Sequence, residues 1–366
     1  MRKKSENINV ADKSPFEENL EGLASLPFGE VGGASLKEQL QHKIDFKTKP
    51  LGSLGQLEDI ALQIGMIQQT LSPKIEKPSM LVFAADHGLA DEKVSPYPKE
   101  VTWQMVMNMV TGGAGISVFC KQNGFDIKVI DAGVDYDFPA NMPIVNSKIG
   151  RGTKNMFHEP AMTIEECEQA LQQGAGFVKV EAEKGCNTIA FGEVGIGNTS
   201  ASSLLMHHFL RIPIEECVGA GAGMVGEQFD YKVNVLSQVA KKYNPETPLE
   251  TLATFGGYEI AMMTGAFLEA QKQNMLILVD GFIASAAMLT ASQFETELKD
   301  NCLFCHKSNE KVHKVLLERL GVEPILDLRL RLGEGTGAAI ALPIVRSAVN
   351  FLNEMASFDE AGVSNK

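Results

Sequence analysis

The sequence predicts an α/β protein with a Rossmann-like, mostly parallel sheet flanked by helices. Short apolar runs alternate with long helix-like segments, and each of four apolar runs ends at an acidic residue with a glycine close by. Strands that alternate with helices favour right-handed βαβ units and a parallel sheet. Ligands of such sheets bind in the crevice beyond the carboxyl ends of the strands. We therefore expect the acidic residues at the strand ends to converge on one site.

The four apolar runs are the predicted strands, because continuous apolar runs of this length are typical of strands buried on both faces. They span residues 79–85, 127–130, 187–191 and 275–279, and the acids that follow them are Asp86, Asp131, Glu193 and Asp280. Segments with helical character lie at residues 100–123, 163–185, 199–209, 231–242 and 258–273.

Both ends of the chain are also predicted to be largely helical. Apolar residues three and four apart run from Leu36 to Thr70, with one break at Lys49-Pro-Leu-Gly52, where proline disfavours a helix. Residues 338–358 form another helix-like segment, with Pro343 near its start. A length of 366 residues exceeds what one hydrophobic core usually supports, so we expect two domains or one large domain with an appendage.

The composition of the chain limits which partners it could bind and in which cellular compartment we expect it. The net charge of −13 argues against binding of nucleic acid or of an anionic membrane, although a few local cations could still hold a phosphate. No apolar run approaches the ~20 residues of a membrane span, and the first residues do not resemble a secretory signal. The six cysteines are too sparse for a disulfide scaffold, which favours a cytoplasmic protein.

Cys302-Leu-Phe-Cys305-His306 is the one segment that could suggest a metal or haem site. Zinc usually requires a second pair of ligands at ordered spacing, and the sequence has no second cysteine pair. Haem attachment would require an exported protein. We therefore interpret Cys302 and Cys305 as structural or incidental thiols and expect no metal.

A glycine loop after the third strand is the first candidate site. In Gly192-Glu-Val-Gly-Ile-Gly-Asn-Thr199, the glycines at 195 and 197 let the backbone approach a ligand. Asn198 and Thr199 lead into a helix that we expect to begin near Ser200, and its start offers free N–H groups to an anion. The alternative is that Thr199 or Ser200 only caps the helix. The loop is neither a P-loop nor a dinucleotide fingerprint.

A second glycine loop, Val218-Gly-Ala-Gly-Ala-Gly223, includes Gly221 and precedes a helix that carries Lys232. A lysine there could supply a point charge to a phosphate. The alternatives are a plain turn and a solvated surface lysine.

A third motif, Arg331-Leu-Gly-Glu-Gly-Thr-Gly337, places Glu334 between two glycines. Leucines alternate with charged residues from Leu326 to Leu332, which predicts an extended segment before it. A poorly solvated carboxylate beside a ligand has the raised proton affinity that suits a general base. The alternative is an acid that merely favours a helix start.

Ser308 lies in a polar cluster, His306-Lys-Ser-Asn-Glu-Lys-Val-His313. No nucleophile elbow surrounds this serine. We interpret it as a polar ligand contact or as the cap of a helix at residues 311–320.

Taken together, the motifs resemble those of the nicotinate-nucleotide–dimethylbenzimidazole phosphoribosyltransferase family. The resemblance runs from about Leu36 to Leu352 and rests on many motifs in order. Its further pieces are Lys49-Pro-Leu-Gly-Ser-Leu-Gly55, Ala84-Ala-Asp-His-Gly88, Val94–Gln104, Gly112-Gly-Ala-Gly115 and Val279-Asp-Gly281.

The resemblance implies a reaction in cobalamin nucleotide assembly, in which nicotinate mononucleotide and 5,6-dimethylbenzimidazole give α-ribazole 5′-phosphate and nicotinate. Glu334 matches the catalytic base, and Glu193 matches a second acid of the nucleotide pocket. The positions that match contacts to the nucleotide and its phosphate are Gly195, Lys232, Ser308 and Arg331; those that match the base pocket are Ser95, Gln104 and Leu332.

The resemblance also implies a homodimer that needs no metal or other cofactor. Its fold pattern suggests an extension at residues 1–35, a smaller helical domain from residues 36–77 and 301–366, and an α/β domain at residues 78–300. Three alternatives stay open: the same transfer to a phenol, adenine or another benzimidazole; a nucleotide-binding module without turnover; and a dehydrogenase, which the absence of a dinucleotide fingerprint disfavours.

Overall fold

The structure is a computed structural model that describes residues 34–221 and 223–364. Nearly all of the predicted N-terminal extension, residues 1–35, lies outside the described residues. The strands are β1 (Ser79–Ala85), β2 (Asp126–Gly133), β3 (Ile144–Asn146), β4 (Thr188–Val194), β5 (Leu276–Val279) and β6 (Cys302–Phe304).

The helices through the first two thirds of the chain are α1 (Leu36–Asp45), α2 (Gln56–Ile67), α3 (Glu100–Val110), α4 (Gly115–Asn123), α5 (Ile164–Glu183), α6 (Asn198–Leu210), α7 (Ile214–Cys217) and α8 (Glu227–Lys242). The later helices are α9 (Pro248–Phe255), α10 (Tyr258–Lys272), α11 (Phe282–Ala291), α12 (Lys311–Leu320), α13 (Thr336–Glu354) and α14 (Phe358–Ala361). Two 3₁₀ helices, Gly88–Glu92 and Thr296–Asn301, complete the elements of the described residues.

All six strands form one parallel sheet in the order β3-β2-β1-β4-β5-β6. Ser79 at the start of β1 is in register with Asp126 of β2 on one side and with Ile189 of β4 on the other. The strand order therefore reverses between β1 and β4, and ligands of such sheets bind beyond the carboxyl ends at this reversal. The predicted α/β, Rossmann-like fold is confirmed.

Both faces of the sheet are covered by apolar residues. Alternate side chains of β1 enter different cores, with Leu81 and Phe83 in one cluster and Met80 and Val82 in the other. This alternation follows from the two-residue period of a strand. Every residue of β1 and β4 is buried, as the continuous apolar runs predicted.

The helices from the two ends of the chain pack on the same face of the sheet. Leu40 of α1 and Ile64 of α2 share a buried cluster with Leu342 and Val345 of α13. The strand β6 belongs to the sheet although it lies in the C-terminal segment. The boundaries of a separate helical domain stay a prediction.

Some sequence predictions of secondary structure were wrong. Residues 100–123 form two helices rather than one, because the chain turns at Gly112, whose φ of 88° is in the left-handed region. The segment from Leu326 to Leu332 was predicted to be extended; it makes one parallel bridge, between Leu326 and His306, and is interrupted at Arg329, whose φ is 58°.

Further elements were not predicted, among them β3, β6 and α9. The strands β3 and β6 have three residues each, too few for a clear sequence pattern. The helix α9 begins with a capping box between Thr247 and Glu250 and has Pro248 in its first turn. That signal is readable from sequence. No helix in the described ranges is long and apolar enough to cross a membrane.

Candidate active site

Glu334 lies in a tight loop just before α13, at the carboxyl edge of the sheet. Its φ is 65°, and Gly335, which precedes the helix, has a φ of 91°. The side chain is 6% exposed, and its Oε2 has no hydrogen-bond partner in the part of the chain that the structure describes. A buried carboxylate with a free oxygen can accept a proton from a bound molecule.

Asp280, which follows β5, holds the start of α13. Its carboxylate accepts hydrogen bonds from the backbone N–H groups of Gly335 at 3.1 Å, Gly337 at 2.6 Å and Ala338 at 3.2 Å. The ring of His306 lies 3.6 Å from the same carboxylate. The N–H groups of Gly335, Gly337 and Ala338 are therefore satisfied by Asp280 and not by Glu334, whose carboxylate makes no capping hydrogen bond within the described residues.

Glu193, the last but one residue of β4, joins the same corner. Its Oε1 accepts a hydrogen bond of 3.3 Å from the backbone N–H of Glu334, and its Oε2 accepts a short hydrogen bond from Asn198. A Cβ on Gly333 would lie 2.6 Å from Oε1 of Glu193, and one on Gly192 would lie 2.1 Å from the carbonyl oxygen of Glu334. The glycines of these two motifs thus permit the loop to lie against β4.

Burial sets the proton affinities in this corner. It raises the pKa of Glu334 to about 7, and the negative charge of Asp280 adds to the effect. Burial also raises the pKa of Glu193 well above its usual range, opposed by the hydrogen bond from Glu334 and reinforced by Asp280. A carboxyl group with a pKa near neutrality is suited to proton transfer at physiological pH.

A second corner gathers residues from the first and the second glycine loop. Nζ of Lys232 lies 3.2 Å from Oγ1 of Thr199 and 3.2 Å from the carbonyl oxygen of Gly219. Lys232 is 1% exposed, and burial lowers its pKa to about 8. A Cβ on Gly221, whose φ is 56°, would lie 3.4 Å from this Nζ and 3.1 Å from Oγ1 of Thr199.

Two of the alternative interpretations are therefore wrong. The helix α6 begins at Asn198 with Gly197 before it, so Thr199 and Ser200 lie inside the helix and do not cap it. Lys232 is buried and is not a solvated surface lysine. Because a buried ammonium is costly without an anionic partner, this corner is suited to an anion.

Ser308 and Glu310 border this second corner. The backbone N–H of Ser308 donates to Nδ1 of His313 at 3.0 Å, and Oγ of Ser308 accepts from the N–H of Glu310 at 3.3 Å. Burial lowers the pKa of His313 to about 3, so its ring is neutral and can accept. The residue before α12 is Glu310, so the prediction that Ser308 caps that helix was wrong.

The charges around Glu310 place Arg331 near the same corner. Burial raises the pKa of Glu310. This rise is opposed by Lys232, by the N–H groups of Gly221 and Ala220, and by Arg331. The Arg331 side chain belongs to an exposed residue. Of the residues predicted to bind phosphate, Thr199, Gly221, Lys232, Ser308 and Arg331 lie around this corner, with Glu310 as an acid that the sequence did not single out. Asn198 instead contacts Glu193 in the first corner.

The residues predicted to hold the incoming base are more dispersed. Leu332 is 56% exposed and lies beside Gly115, where a Cβ would come within 3.2 Å of its Cδ2. Gln104 is exposed on α3, and Ser95 lines a cleft of about 750 Å³ together with Tyr97 and Tyr231. Within the described ranges no hydrogen bond joins Ser95 or Gln104 to Glu334.

Convergence of the strand-end acids holds for Glu193 and Asp280 only. Asp131 forms an ion pair of 2.8 Å with Lys148 and accepts from the N–H of Val134, and Asp86 accepts from the N–H of Asp135. The expectation that all four acids share one site was therefore wrong, because Asp86 after β1 and Asp131 near the end of β2 hold the loops that follow β2.

Neither cysteines nor a metal cluster contribute to the site in the described residues. Cys302 and Cys305 are buried free thiols whose pKa values burial raises. No group of three or more His, Cys, Asp or Glu side chains in residues 34–221 and 223–364 is arranged to hold a metal ion.

Comparison with known families decides the class of this site. Residues 32–363 match the model of a phosphoribosyltransferase family. The chain belongs to this family. A member from Dechloromonas aromatica strain RCB, named nicotinate-nucleotide–dimethylbenzimidazole phosphoribosyltransferase, is 51% identical over 340 residues, which make up 92% of this chain and 98% of that protein. A protein of the same name from Cupriavidus necator is 50% identical and covers 90% of this chain and 96% of its own length.

The crystal structure of CobT from Thermus thermophilus has the same fold as this phosphoribosyltransferase. The two chains share 38% identity and superpose with a TM-score of 0.88, over 90% of this chain and 99% of the other. The resemblance inferred from the ordered motifs is confirmed, and the protein is an enzyme of the phosphoribosyltransferase class that acts on small molecules.

Proposed function

We propose that this phosphoribosyltransferase converts nicotinate mononucleotide and 5,6-dimethylbenzimidazole to α-ribazole 5′-phosphate and nicotinate, with Glu334 as the catalytic base. The observation that carries the proposal is the buried carboxyl group of Glu334, which has a pKa of about 7 and a free Oε2 beside the crevice where the strand order reverses. The names of the relatives supply the substrates.

The proposed chemistry requires one proton acceptor. One ring nitrogen of the benzimidazole attacks C1′ of the ribose while the bond from C1′ to the nicotinate nitrogen breaks. The electron pair of that bond neutralises the pyridinium, so the nucleotide brings its own activated leaving group. The benzimidazolium that forms loses its remaining N–H proton to Glu334. The protein has to position two rings and accept this proton.

The second corner is proposed to bind the nucleotide phosphate. Lys232, Thr199 and the backbone around Gly221 offer a cation, a hydroxyl and N–H groups within one small volume. Gly195, Gly197 and Asn198 precede or begin α6, whose N-terminus faces the crevice, and Ser308 and Arg331 border the corner. A phosphate at a helix N-terminus with a nearby lysine is a recurrent arrangement. Local cations thus explain how an acidic protein binds an anion.

The incoming base is proposed to contact Leu332, Ser95 and Gln104. Leu332 has an exposed side chain and lies two residues before Glu334. Of the three residues, it is the one near the proposed catalytic base. Ser95 lies on the loop before α3, and Gln104 lies on α3 itself. This pocket sets the choice between dimethylbenzimidazole and a phenol, adenine or another benzimidazole.

The test is incubation of the purified chain with nicotinate mononucleotide and a panel of these bases, with nicotinate and ribosylated product quantified by chromatography. We expect release of nicotinate that depends on the added base and is fastest with dimethylbenzimidazole. Base-dependent release with another azole or a phenol as the preferred substrate would keep the reaction and replace the acceptor. No release with any base would overturn the proposal.

Assembly and compartment are part of the same proposal. We infer a homodimer in the cytoplasm, supported by the kinship with the family and by six cysteines that are all buried free thiols. Light scattering after gel filtration tests the assembly, with a mass of twice 39.7 kDa expected. A monomer at micromolar concentration would contradict it.

A further inference from the structure

A fully buried hydrogen-bonded pair lies beneath the first glycine loop. Nε2 of His87 is 2.6 Å from Oε1 of Glu259, and both residues are 0% exposed. His87 follows β1, and Glu259 is in the first turn of α10, so the pair joins the sheet to a helix at the carboxyl edge. The two residues are 172 positions apart in the sequence.

Glycines surround this pair on both sides. A Cβ on Gly195 would lie 3.4 Å from Oε1 of Glu259 and 3.4 Å from Cδ2 of His87, and one on Gly197 would lie 3.3 Å from Cβ of His87. On the other side, a Cβ on Gly257 would lie 2.3 Å from Cε1 of His87 and 2.5 Å from Oε2 of Glu259. The pair therefore forms part of the surface against which the backbone of residues 195–197 packs. The rest of that surface includes the carbonyl oxygen of Ala85, 2.3 Å from a Cβ on Gly195, and Cβ of Ala90, 3.5 Å from a Cβ on Gly197.

The loop has few other restraints. The N–H of Ile196 donates to Oγ1 of Thr102 at 3.1 Å, and the N–H of Asn198 donates to the carbonyl oxygen of Gly195 at 3.1 Å. Gly197 has a φ of 103°, a conformation that glycine alone adopts freely. A loop with two glycines has many unbound conformations, so fixing one of them needs contacts from outside the loop.

Burying this pair costs free energy, and a structural role in the core alone gives no reason for that cost. Nδ1 of His87 and Oε2 of Glu259 are buried and have no hydrogen-bond partner in residues 34–221 and 223–364. A buried ionisable pair is often no more stabilising than apolar side chains of similar volume, and its unpaired polar atoms add to the cost. Its place beneath the nucleotide loop suggests a role in holding that loop.

We propose that His87 and Glu259 are positioning residues for nucleotide binding. The pair fixes the backbone of Gly195 to Gly197, and with it the N-terminus of α6, in the conformation that accepts the nucleotide. Neither side chain needs to touch substrate. This inference rests on the proposed function for the identity of the nucleotide, whereas the fixing of the loop does not depend on it.

The experiment uses four variants and two readouts. Glu259→Ala and His87→Ala break the pair, while Glu259→Gln keeps an oxygen acceptor for His87. Glu269→Gln is the matched control, because Glu269 is a buried carboxylate near the other end of the same helix. The readouts are the Michaelis constants for nicotinate mononucleotide and for the base, and hydrogen exchange of the backbone amides of residues 192–200.

Both alanine variants are expected to raise the Michaelis constant for the nucleotide by about tenfold or more, because a loop that is no longer fixed has to be ordered when the nucleotide binds. The constant for the base should stay within about twofold. Amide exchange should become faster in residues 192–200 and stay unchanged in β5 and α11. Glu259→Gln should lie near the wild type in both readouts, and so should Glu269→Gln. If an alanine variant does not fold, Glu259→Asp, which shortens the side chain by one methylene, takes its place.

The proposal would be overturned if the alanine variants had unchanged Michaelis constants for the nucleotide, or if their amide exchange became faster throughout the chain. The pair would then be a component of the core only. The outcome is separable from that of the proposed function. A wild-type protein that releases no nicotinate removes the kinetic readout, and hydrogen exchange at residues 192–200 then decides whether the pair fixes the loop.

Discussion

The backbone N–H of Glu334 donates a hydrogen bond of 3.3 Å to the carboxylate of Glu193, which lies near the end of β4. Two acids that are 141 positions apart in sequence are thereby held in one buried corner, with Asp280 at the adjacent helix start. Burial and neighbouring negative charge both favour the protonated form of a carboxyl group. The geometry therefore gives Glu334 a proton affinity that an exposed glutamate would lack.

Turnover should depend on pH through Glu334. Only the ionised carboxylate can accept a proton, and burial raises the pKa of this group to about 7. The rate should thus fall by about tenfold for each pH unit below this value, and level off above it. The measurement is the pH profile of kcat/KM for the base. Because the base also protonates, the profile of Glu334→Gln is the control; an identical inflection in that variant would contradict the assignment.

The stability of the folded protein should also depend on pH through Glu334, but here the protonated form is the favourable one. Its pKa is about 7 in the folded protein and near 4.5 in the unfolded chain, so the folded state holds the proton more tightly. The contribution of Glu334 to stability is therefore largest below about pH 4.5 and is lost as pH rises to about 7, where ionisation of the buried group costs on the order of 1–3 kcal/mol. Glu334→Gln should raise the Tm relative to wild type at pH 8 and raise it less at pH 5. An equal difference at both pH values would contradict the shifted pKa.

Lys232 should govern affinity for the nucleotide. Lys232→Ala is expected to raise the Michaelis constant for nicotinate mononucleotide by ~10-fold or more, since a charged hydrogen bond to phosphate is lost, with little change for the base. Lys241→Ala is the control, because Lys241 is exposed on the same helix. A nucleotide constant equal to that of the control would remove Lys232 from the phosphate site.

The loop that carries Glu334 lies so close to β4 that a methyl group at Gly192 should not fit between them. A Cβ on Gly192 would lie 2.1 Å from the carbonyl oxygen of Glu334. Gly192→Ala should therefore lower the free energy of unfolding by about 1–3 kcal/mol and abolish most turnover, because the loop must shift. Gly176→Ala, in the helix α5 with open space around it, should instead stabilise by up to about 1 kcal/mol. Denaturant melts of both variants test this, and a Gly192→Ala protein as stable and active as wild type would contradict it.

Most of the sheet could be predicted from the sequence, because β1 and β4 are apolar on both faces and end at distinctive acid and glycine motifs. The three-residue strands β3 and β6 could not, since their pairing depends on neighbours rather than on pattern. The break at Gly112 was readable from its glycines, and the capping box at Thr247 from its spacing to Glu250.

The candidate site was only partly predictable for a related reason. Glu334, Glu193 and Lys232 stand in motifs with local signals, whereas the contact of Asp280 with the start of α13 joins residues 55 to 58 positions apart. The pair of His87 and Glu259 joins two distant segments, and Glu259 has no local motif at all. Distances between segments follow from the sheet order, which no single motif specifies.

The most direct test of the central claim compares wild-type protein with Glu334→Gln in one assay that contains nicotinate mononucleotide and 5,6-dimethylbenzimidazole. Nicotinate release gives turnover, and calorimetric titration gives the affinity for the nucleotide. We expect base-dependent release of nicotinate by the wild type. In the variant, turnover should fall by ~10²-fold or more, the usual scale for a lost general base, and the affinity for the nucleotide should be unchanged. Turnover of the variant at the wild-type rate would contradict the role of Glu334.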